Sequence, residues 1–407
     1  MKKGILLFFI SSSLFLSSCA GYSTPTGLIK SPVVNASSSN YTDIKGIAEK
    51  FLPKDSTLLA QNDLVSGKPI FTADLDNDKS DEIIAFFKIQ DKFEKGFIVL
   101  KKTNNNWSKI FEKKQECNSI SKSDFINVVN KDTKNLLIGY FIGGNAGSQY
   151  YYYTLKDGKI KESNLGWWKK FEILNTPLQK DKGFVFAAMS RGTGDVEVWD
   201  VVKLKDEKIC RDEDSYPSYS SKIIDYYNNI LQQYKTKNRM GAIGGLAWYS
   251  LIDAQVKGNM PEEALKSIDN FNSISTTDNT IFDLVEQNKF KFLQAKALNK
   301  LQRYDEAKTI LDELQVKSEQ DLRNLNKDTT EESLDLIKDT KLKLLNIYLE
   351  KGKIFDTLNQ KDKFNEIKDK ALNLNILQDY NKDKEDGIIY NELDVNTAKE
   401  HLDKLKQ

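Results

Sequence analysis

One short segment carries a set of side chains that could hold a metal ion. Acidic residues occupy alternate positions at Asp74, Asp76 and Asp78, and Ser80 and Glu82 follow at the same spacing. Alternate residues of a tight loop point to one side, so the three aspartate carboxylates are predicted to converge. Glu82 and the main-chain carbonyl of Ser80 would complete a set of hard oxygen donors, which suits Ca²⁺. Without a cation these carboxylates would repel one another, and the alternative is an acidic, solvated turn that binds nothing specific.

The order of this loop and the strand after it resembles the calcium loops of the FG-GAP/VCBS family, found in integrin-like propellers. It is not an EF-hand, because position 12 of the loop is Ala85 where that loop requires Glu. The resemblance covers about residues 70–155 and implies one structural calcium ion. Lys79 departs from the family pattern, which has Gly there to allow a positive φ. The corresponding stretch of a second unit, residues 127–136, has lost most of its acidic positions, so at most one site is predicted.

Few other residues could support catalysis. The chain has one histidine, His401, and three cysteines, so multi-histidine metal sites and cysteine–histidine pairs are nearly excluded. Cys117 and Cys210 could form one disulfide outside the membrane or remain free thiols. His401 is predicted on a polar, solvated helix. We therefore expect a protein that is not an enzyme, with a cell-envelope hydrolase as the weakest alternative.

The N-terminus predicts a secretion signal. Lys2 and Lys3 precede an apolar stretch over residues 4–16, which is too short for a spanning helix. It ends in Leu-Ser-Ser-Cys at residues 16–19 and resembles the lipobox of bacterial lipoproteins. The resemblance implies removal of residues 1–18 and lipidation of Cys19, with two acyl chains giving stable anchoring. The expected location is the extracytoplasmic face of a bacterial cell membrane.

Length and charge limit the remaining classes. A chain of 407 residues suggests two or three domains. Lys plus Arg number 60 and Asp plus Glu number 59, a balance that excludes a generally basic nucleic-acid binder. Residues 20–41 are rich in small and polar residues and are predicted to be a flexible spacer. No later segment approaches the length of a membrane span, so a soluble, tethered body is expected.

Residues 42–215 predict repeated antiparallel β-meanders. Three units recur about every 50 residues, each with three strand signals joined by turn residues. Three units are too few to close a usual propeller, so a partial, propeller-like arrangement or an open twisted sheet is expected. The predicted strands are 83–89, 97–100 and 107–111, then 136–142, 150–155 and about 160, then 184–189, 196–202 and about 209.

The aromatic residues of this region allow two interpretations. Tyr150–Tyr153 places tyrosines on both faces of one strand, and Trp167, Trp168 and Trp199 add aromatic surface. Such residues usually fill a sheet core. The alternative is stacking on cell-wall glycan, which would make the protein a glycan-binding lipoprotein.

Residues 221–407 predict paired α-helices. The phrases Glu262-Glu263-Ala264-Leu265 and Tyr304-Asp305-Glu306-Ala307 resemble the second helix of tetratricopeptide (TPR) repeats. The resemblance implies a TPR-like stack of helical hairpins with a concave groove for a protein partner, and the alternative is a plain helical bundle. The fold class predicted for the whole chain is multidomain β plus α. The predicted function is a non-catalytic, membrane-anchored scaffold that binds an unidentified protein through its helical half and no nucleic acid.

Overall fold

The computed structural model describes ten stretches of the chain and divides it into two compact units, residues 1–46 and 47–407. Helix α1, Ser38–Glu49, crosses the boundary between them. Cys19 and the predicted signal lie outside the described residues. Among the residues that the structure describes, every helix is too short or too polar to cross a membrane. The described stretches are 38–65, 67–126, 134–144, 147–174, 185–205, 208–236, 241–275, 279–327, 330–376 and 392–406.

The first β-sheet contains the acidic loop. Strand β3 pairs with β4, and β4 pairs with β5, in an antiparallel meander. Two short strands share the other edge of β3, with β2 against its N-terminal end and β1 against its C-terminal end. The strands of sheet 1 are β1 Ser56–Leu58, β2 Ile70–Ala73, β3 Glu82–Ile89, β4 Glu94–Thr103 and β5 Asn106–Glu116.

Sheets 2 and 3 repeat the meander and confirm the predicted antiparallel β architecture. Each has four strands in sequence order, and in each the first strand was not predicted. In sheet 1, Asn104 and Asn105 both have positive φ in the β4–β5 turn, as the two-residue turn of a right-twisted hairpin requires. Sheet 2 comprises β6 Ser119–Ile126, β7 Asn135–Phe141, β8 Ser148–Lys156 and β9 Lys159–Trp168. Sheet 3 comprises β10 Lys170–Ile173, β11 Val185–Thr193, β12 Val196–Lys205 and β13 Lys208–Arg211.

Sheet 2 packs between its two neighbours and buries both faces. In β8, Tyr151 and Tyr153 join the core shared with sheet 1, whereas Tyr150 and Tyr152 join the core shared with sheet 3. The ring of Tyr153 lies 5.0 Å from that of Phe97 in sheet 1. The alternation follows from the two-residue period of a strand, and it explains a run of consecutive tyrosines.

The aromatic residues considered for glycan stacking are mostly buried. The tyrosines of β8 are at most 8% exposed, and Trp168 and Trp199 are 5% and 9% exposed. Trp167, at 41%, is the most accessible aromatic of that set. Cys117 and Cys210 are both buried, and neither forms a disulfide in the part of the chain that the structure describes. Burial raises the pKa of the Cys117 thiol to about 11.

Antiparallel helices follow the sheets, as predicted. Helices α3, α5 and α7 each form a hairpin with the next helix, and successive hairpins contact one another. Three small residues at the predicted packing positions, Ala264, Ala295 and Ala307, are fully buried. The helices are α2 Ser220–Thr236, α3 Gly241–Lys257, α4 Pro261–Ser275, α5 Gln287–Lys300, α6 Tyr304–Leu325, α7 Glu331–Thr357, α8 Lys361–Leu372 and α9 Glu392–Lys406.

The β and α halves share a hydrophobic core. The outer face of sheet 3, including Val185 and Val201, packs with Ile223 and Tyr227 of α2 and Leu251 of α3. The domain boundary near residues 215–221 stays a prediction.

Helix α9 returns to the edge of sheet 3, a contact that the sequence did not predict. The side-chain amide of Asn396 donates to the carbonyl of Ile209 at 3.0 Å, and the N–H of Arg211 donates to the Thr397 hydroxyl at 3.1 Å. These bonds satisfy main-chain groups of the edge strand β13, which would otherwise be open to pairing with another chain.

Candidate cation site in the loop 74–82

The acidic residues lie in the loop that joins β2 to β3. The two strands are antiparallel and pair Ala73 with Glu82, so the chain reverses its direction between these residues. One carboxylate oxygen from each of Asp74, Asp76 and Asp78 lies within 4.8 Å of the others. The structure therefore brings together the three aspartates that the spacing predicted to converge.

Main-chain N–H groups of the loop occupy several carboxylate oxygens. Asp74 accepts from the N–H of Asp78 at 3.1 Å and of Lys79 at 2.9 Å, one bond to each of its oxygens. Asp78 Oδ1 accepts from the N–H of Ser80 at 2.8 Å. These bonds fold the loop back on its own side chains, as Asx turns do.

The space between the carboxylates is occupied by the side chain of Lys101, which lies in β4. Its Nζ is 2.6 Å from Asp76 Oδ2, 2.6 Å from Asp78 Oδ2 and 3.1 Å from Glu82 Oε1. Burial acts to lower the pKa of Lys101, but the hydrogen bonds to Asp76, Asp78 and Glu82 outweigh it and raise the pKa above its usual value. The lysine is therefore charged and neutralises part of the loop.

Glu82 is the most deeply buried carboxylate of the set. It is fully buried, and its second oxygen accepts from the N–H of Leu75 at 2.8 Å. Burial raises the pKa of Glu82, and this effect exceeds the lowering by the Leu75 bond and by Lys101. The side chain thus ties the start of the loop to β3.

The oxygen donors are of the kind that a hard cation binds, but most of them already accept a hydrogen bond. Asp76 Oδ1 is buried without a hydrogen-bond partner, so one oxygen is available for a further contact. Ser80, predicted to offer its carbonyl, contributes its N–H to Asp78. Calcium at this loop stays a prediction, because Lys101 lies where the ion would be expected.

Two residues of the loop adopt a left-handed backbone conformation. Asn77 and Lys79 have φ of 62° and 68°, in the left-handed region. That region costs a side chain other than glycine about 1–2 kcal/mol, although asparagine tolerates it better. The carboxylate of Asp74, which binds the N–H of Lys79, holds this strained residue in place.

Sequence reasoning missed Lys101, although the register contained the signal. Strands β3 and β4 pair Ile83 with Leu100, so Glu82 and Lys101 are the next positions along the same register. Opposite charges at facing positions of an antiparallel pair attract each other. A charged residue directly after an apolar strand segment, facing an acidic loop, was the available clue.

A second group of charged residues lies where the helices meet the loop after β13. Glu213 lies in that loop. Desolvation by the surrounding helices acts to raise its pKa, but the charges of Lys296, Lys353, Lys257 and His401 outweigh it and lower the pKa to about 2. Glu213 thus interacts electrostatically with helices α3, α5, α7 and α9.

His401 is partly buried, in contrast to the predicted solvated position. Burial is the main cause that lowers its pKa, with Lys353 and Lys404 acting in the same direction and Glu213 and Glu400 opposing them. Helix α9 is less exposed than its composition suggested because it packs against sheet 3.

Comparisons of this chain with protein-family models, curated proteins and solved structures gave no match.

We expect Lys79→Gly to stabilise the protein by up to about 1 kcal/mol, because glycine removes the left-handed strain at this position. Urea unfolding followed by circular dichroism measures the change. Lys92→Gly, at a nearby lysine whose φ is not positive, is the matched control and should not stabilise. Equal losses of stability in both variants would contradict the strain argument.

We expect the stability of the wild type to fall as pH drops through about 6.5, in part through His401. The unfolded chain binds a proton at His401 before the folded chain does, so protonation favours unfolding. His401→Gln should lose less stability between about pH 7.5 and pH 5.5, with a difference of at most about 1.4 kcal/mol per pH unit. Urea unfolding at both pH values measures it, with Lys399→Gln, at an exposed lysine of the same helix, as control. An identical pH dependence in His401→Gln and wild type would refute this assignment.

Proposed function

We propose that this protein is a non-catalytic lipoprotein on the extracytoplasmic face of a bacterial cell membrane, where it binds another protein through its helical half. The lipobox resemblance at Cys19 supports the anchor. The observation that carries the binding role is an open groove among α5, α6 and α7 that contains the exposed apolar side chain of Leu336.

The groove lies where α5 and α7 begin and α6 ends. Glu286 and Lys343 span it with an ion pair of 2.9 Å. Leu336 lies in the groove and is 48% exposed. The groove is lined by Glu286, Gln287, Asn288, Lys317, Asp321, Asn324, Leu325, Leu336, Thr340 and Lys343.

Three more exposed apolar residues lie beside the groove-lining residues in sequence. Val316, next to Lys317, is 62% exposed, and Leu284 and Leu334 are 43% and 49% exposed. Single exposed apolar residues are ordinary, so the proposal depends on Leu336, which lies within a groove lined mainly by polar and charged residues. The partner segment would bring apolar side chains to Leu336 and polar groups to the ion pair.

The proposal also covers the finer architecture of the two halves. The three stacked meanders would form a partial, propeller-like body next to the tether. The helical hairpins would form a TPR-like stack that extends from sheet 3. The consecutive packing of sheet on sheet and of hairpin on hairpin supports both.

We expect Cys19→Ser to abolish incorporation of a labelled fatty acid in bacteria, because the acyl chains attach through the Cys19 sulfur. Gel fluorography of the purified protein measures the label. Cys210→Ser, at a buried cysteine of the folded body, is the matched control and should keep the label. Label retained by Cys19→Ser would contradict the lipid anchor.

We expect Leu336→Asp to abolish capture of the partner in a crosslinking pull-down from membranes, because a charge in the groove removes an apolar contact and must be desolvated. Leu358→Asp is the matched control, since Leu358 is 40% exposed and lies just beyond the opposite end of α7. Both variants should melt at the wild-type temperature. A partner captured equally by both variants would place the binding surface elsewhere, and a membrane extract that yields no specific partner would contradict the scaffold role.

A further inference from the structure

We propose that the ammonium group of Lys101 is the resident cation of the loop 74–82, so that the loop folds and remains ordered without a bound metal ion. The inference starts from a disagreement. The sequence pattern of the loop predicts calcium, whereas the structure directs a side chain of the neighbouring strand into the same position. It is independent of the proposed scaffold role.

The geometry matches a lysine closely. An ammonium has three hydrogens to donate, and here three carboxylates from different positions accept at 2.6, 2.6 and 3.1 Å. The side chain of Lys101 is 18% exposed, and those of Asp76, Glu82 and Asp78 are 17%, 1% and 42% exposed. Water therefore screens the contacts to Asp76 and Glu82 weakly and the contact to Asp78 more strongly, and charge-assisted bonds of this kind are among the stronger ones in proteins.

The remaining oxygens are engaged in bonds that shape the loop. Asp74, Asp76, Asp78 and Glu82 have eight carboxylate oxygens together, and seven of them accept from Lys101 or from a main-chain N–H of the loop. The exception is Asp76 Oδ1. A calcium ion in the position of the ammonium would break the three bonds of Lys101, whereas the main-chain N–H bonds leave each carboxylate further lone pairs.

The backbone also fixes the lysine in its place. Lys101 lies in β4 and pairs with Ser108 of β5, while Leu100 pairs with Ile83 of β3. Lys101 is therefore held by β5 and follows a residue that is paired on both sides, and its side chain needs no loop movement to reach the carboxylates. A metal ion, in contrast, would have to be recruited from solution.

Lys101→Met tests the proposal, because methionine keeps most of the apolar stem and removes the charge. We expect its melting midpoint to fall by at least about 5 °C in the full-length protein, because three carboxylates lose their shared counter-charge. Lys102→Met is the matched control, since Lys102 is exposed and its ammonium lies 6.0 Å from the Trp107 ring. It should melt within about 1 °C of wild type.

A second arm separates charge from packing. Adding Asp76→Asn and Asp78→Asn to Lys101→Met removes the repulsion, so the triple variant should melt above Lys101→Met. A triple variant that melts no higher would show that repulsion among the carboxylates does not cause the loss in Lys101→Met and would overturn the proposal. A Lys101→Met variant that melts with wild type would do the same.

The third arm is calcium itself. We expect the midpoint of wild type to be the same, within about 1 °C, after treatment with chelator and after addition of millimolar calcium chloride. A specifically bound ion well above its Kd would raise the midpoint by several degrees. Such a rise in wild type, absent from Asp76→Asn/Asp78→Asn, would establish a calcium site and overturn the proposal.

Discussion

Burial of both faces of sheet 2 is the constraint on which the rest of the fold depends. Its strands send alternate side chains into two cores, so sheet 1 and sheet 3 must each lie against it. The outer face of sheet 3 is apolar as well and requires the helices α2 and α3 as cover. The order of layers is thus a consequence of which strands are apolar on both faces. Tyr150 to Tyr153 show this most directly, since each tyrosine belongs to the core opposite to that of its neighbour.

Local patterns in the sequence predicted most of the elements, and long-range contacts account for the misses. The hairpins of the three meanders were predictable because turn residues such as Asn104 and Asn105 separate apolar runs at short range. Strand β10 was missed because its four residues carry little apolar signal of their own and become a strand by pairing with β11. The docking of α9 joins residues almost 200 positions apart, and no periodicity within α9 indicates where it will pack.

The acidic loop shows the same difference between what the local sequence predicts and what long-range contacts determine. Alternating aspartates predicted that the carboxylates would converge, and in the structure they do. What holds them together was not visible within the loop, because Lys101 belongs to the next hairpin. Extension of the β3–β4 register by one position places Glu82 opposite Lys101. Charged residues at facing positions of neighbouring strands therefore deserve the same weight as ligand spacing when a metal loop is inferred.

A lysine and a calcium ion solve the same electrostatic problem in different ways. Calcium supplies two charges and accepts many oxygens, so it orders a loop through the number of contacts. Lysine supplies one charge and three hydrogens, so main-chain N–H groups must satisfy the other carboxylate oxygens, as those of Asp78 and Lys79 do for Asp74. The left-handed residue Asn77 lies directly before these two N–H donors, and the dihedral angles of preceding residues set where an N–H points. The bonds to Asp74 and the position of Lys101 are therefore two parts of one arrangement, in which the loop is shaped by bonds within the chain.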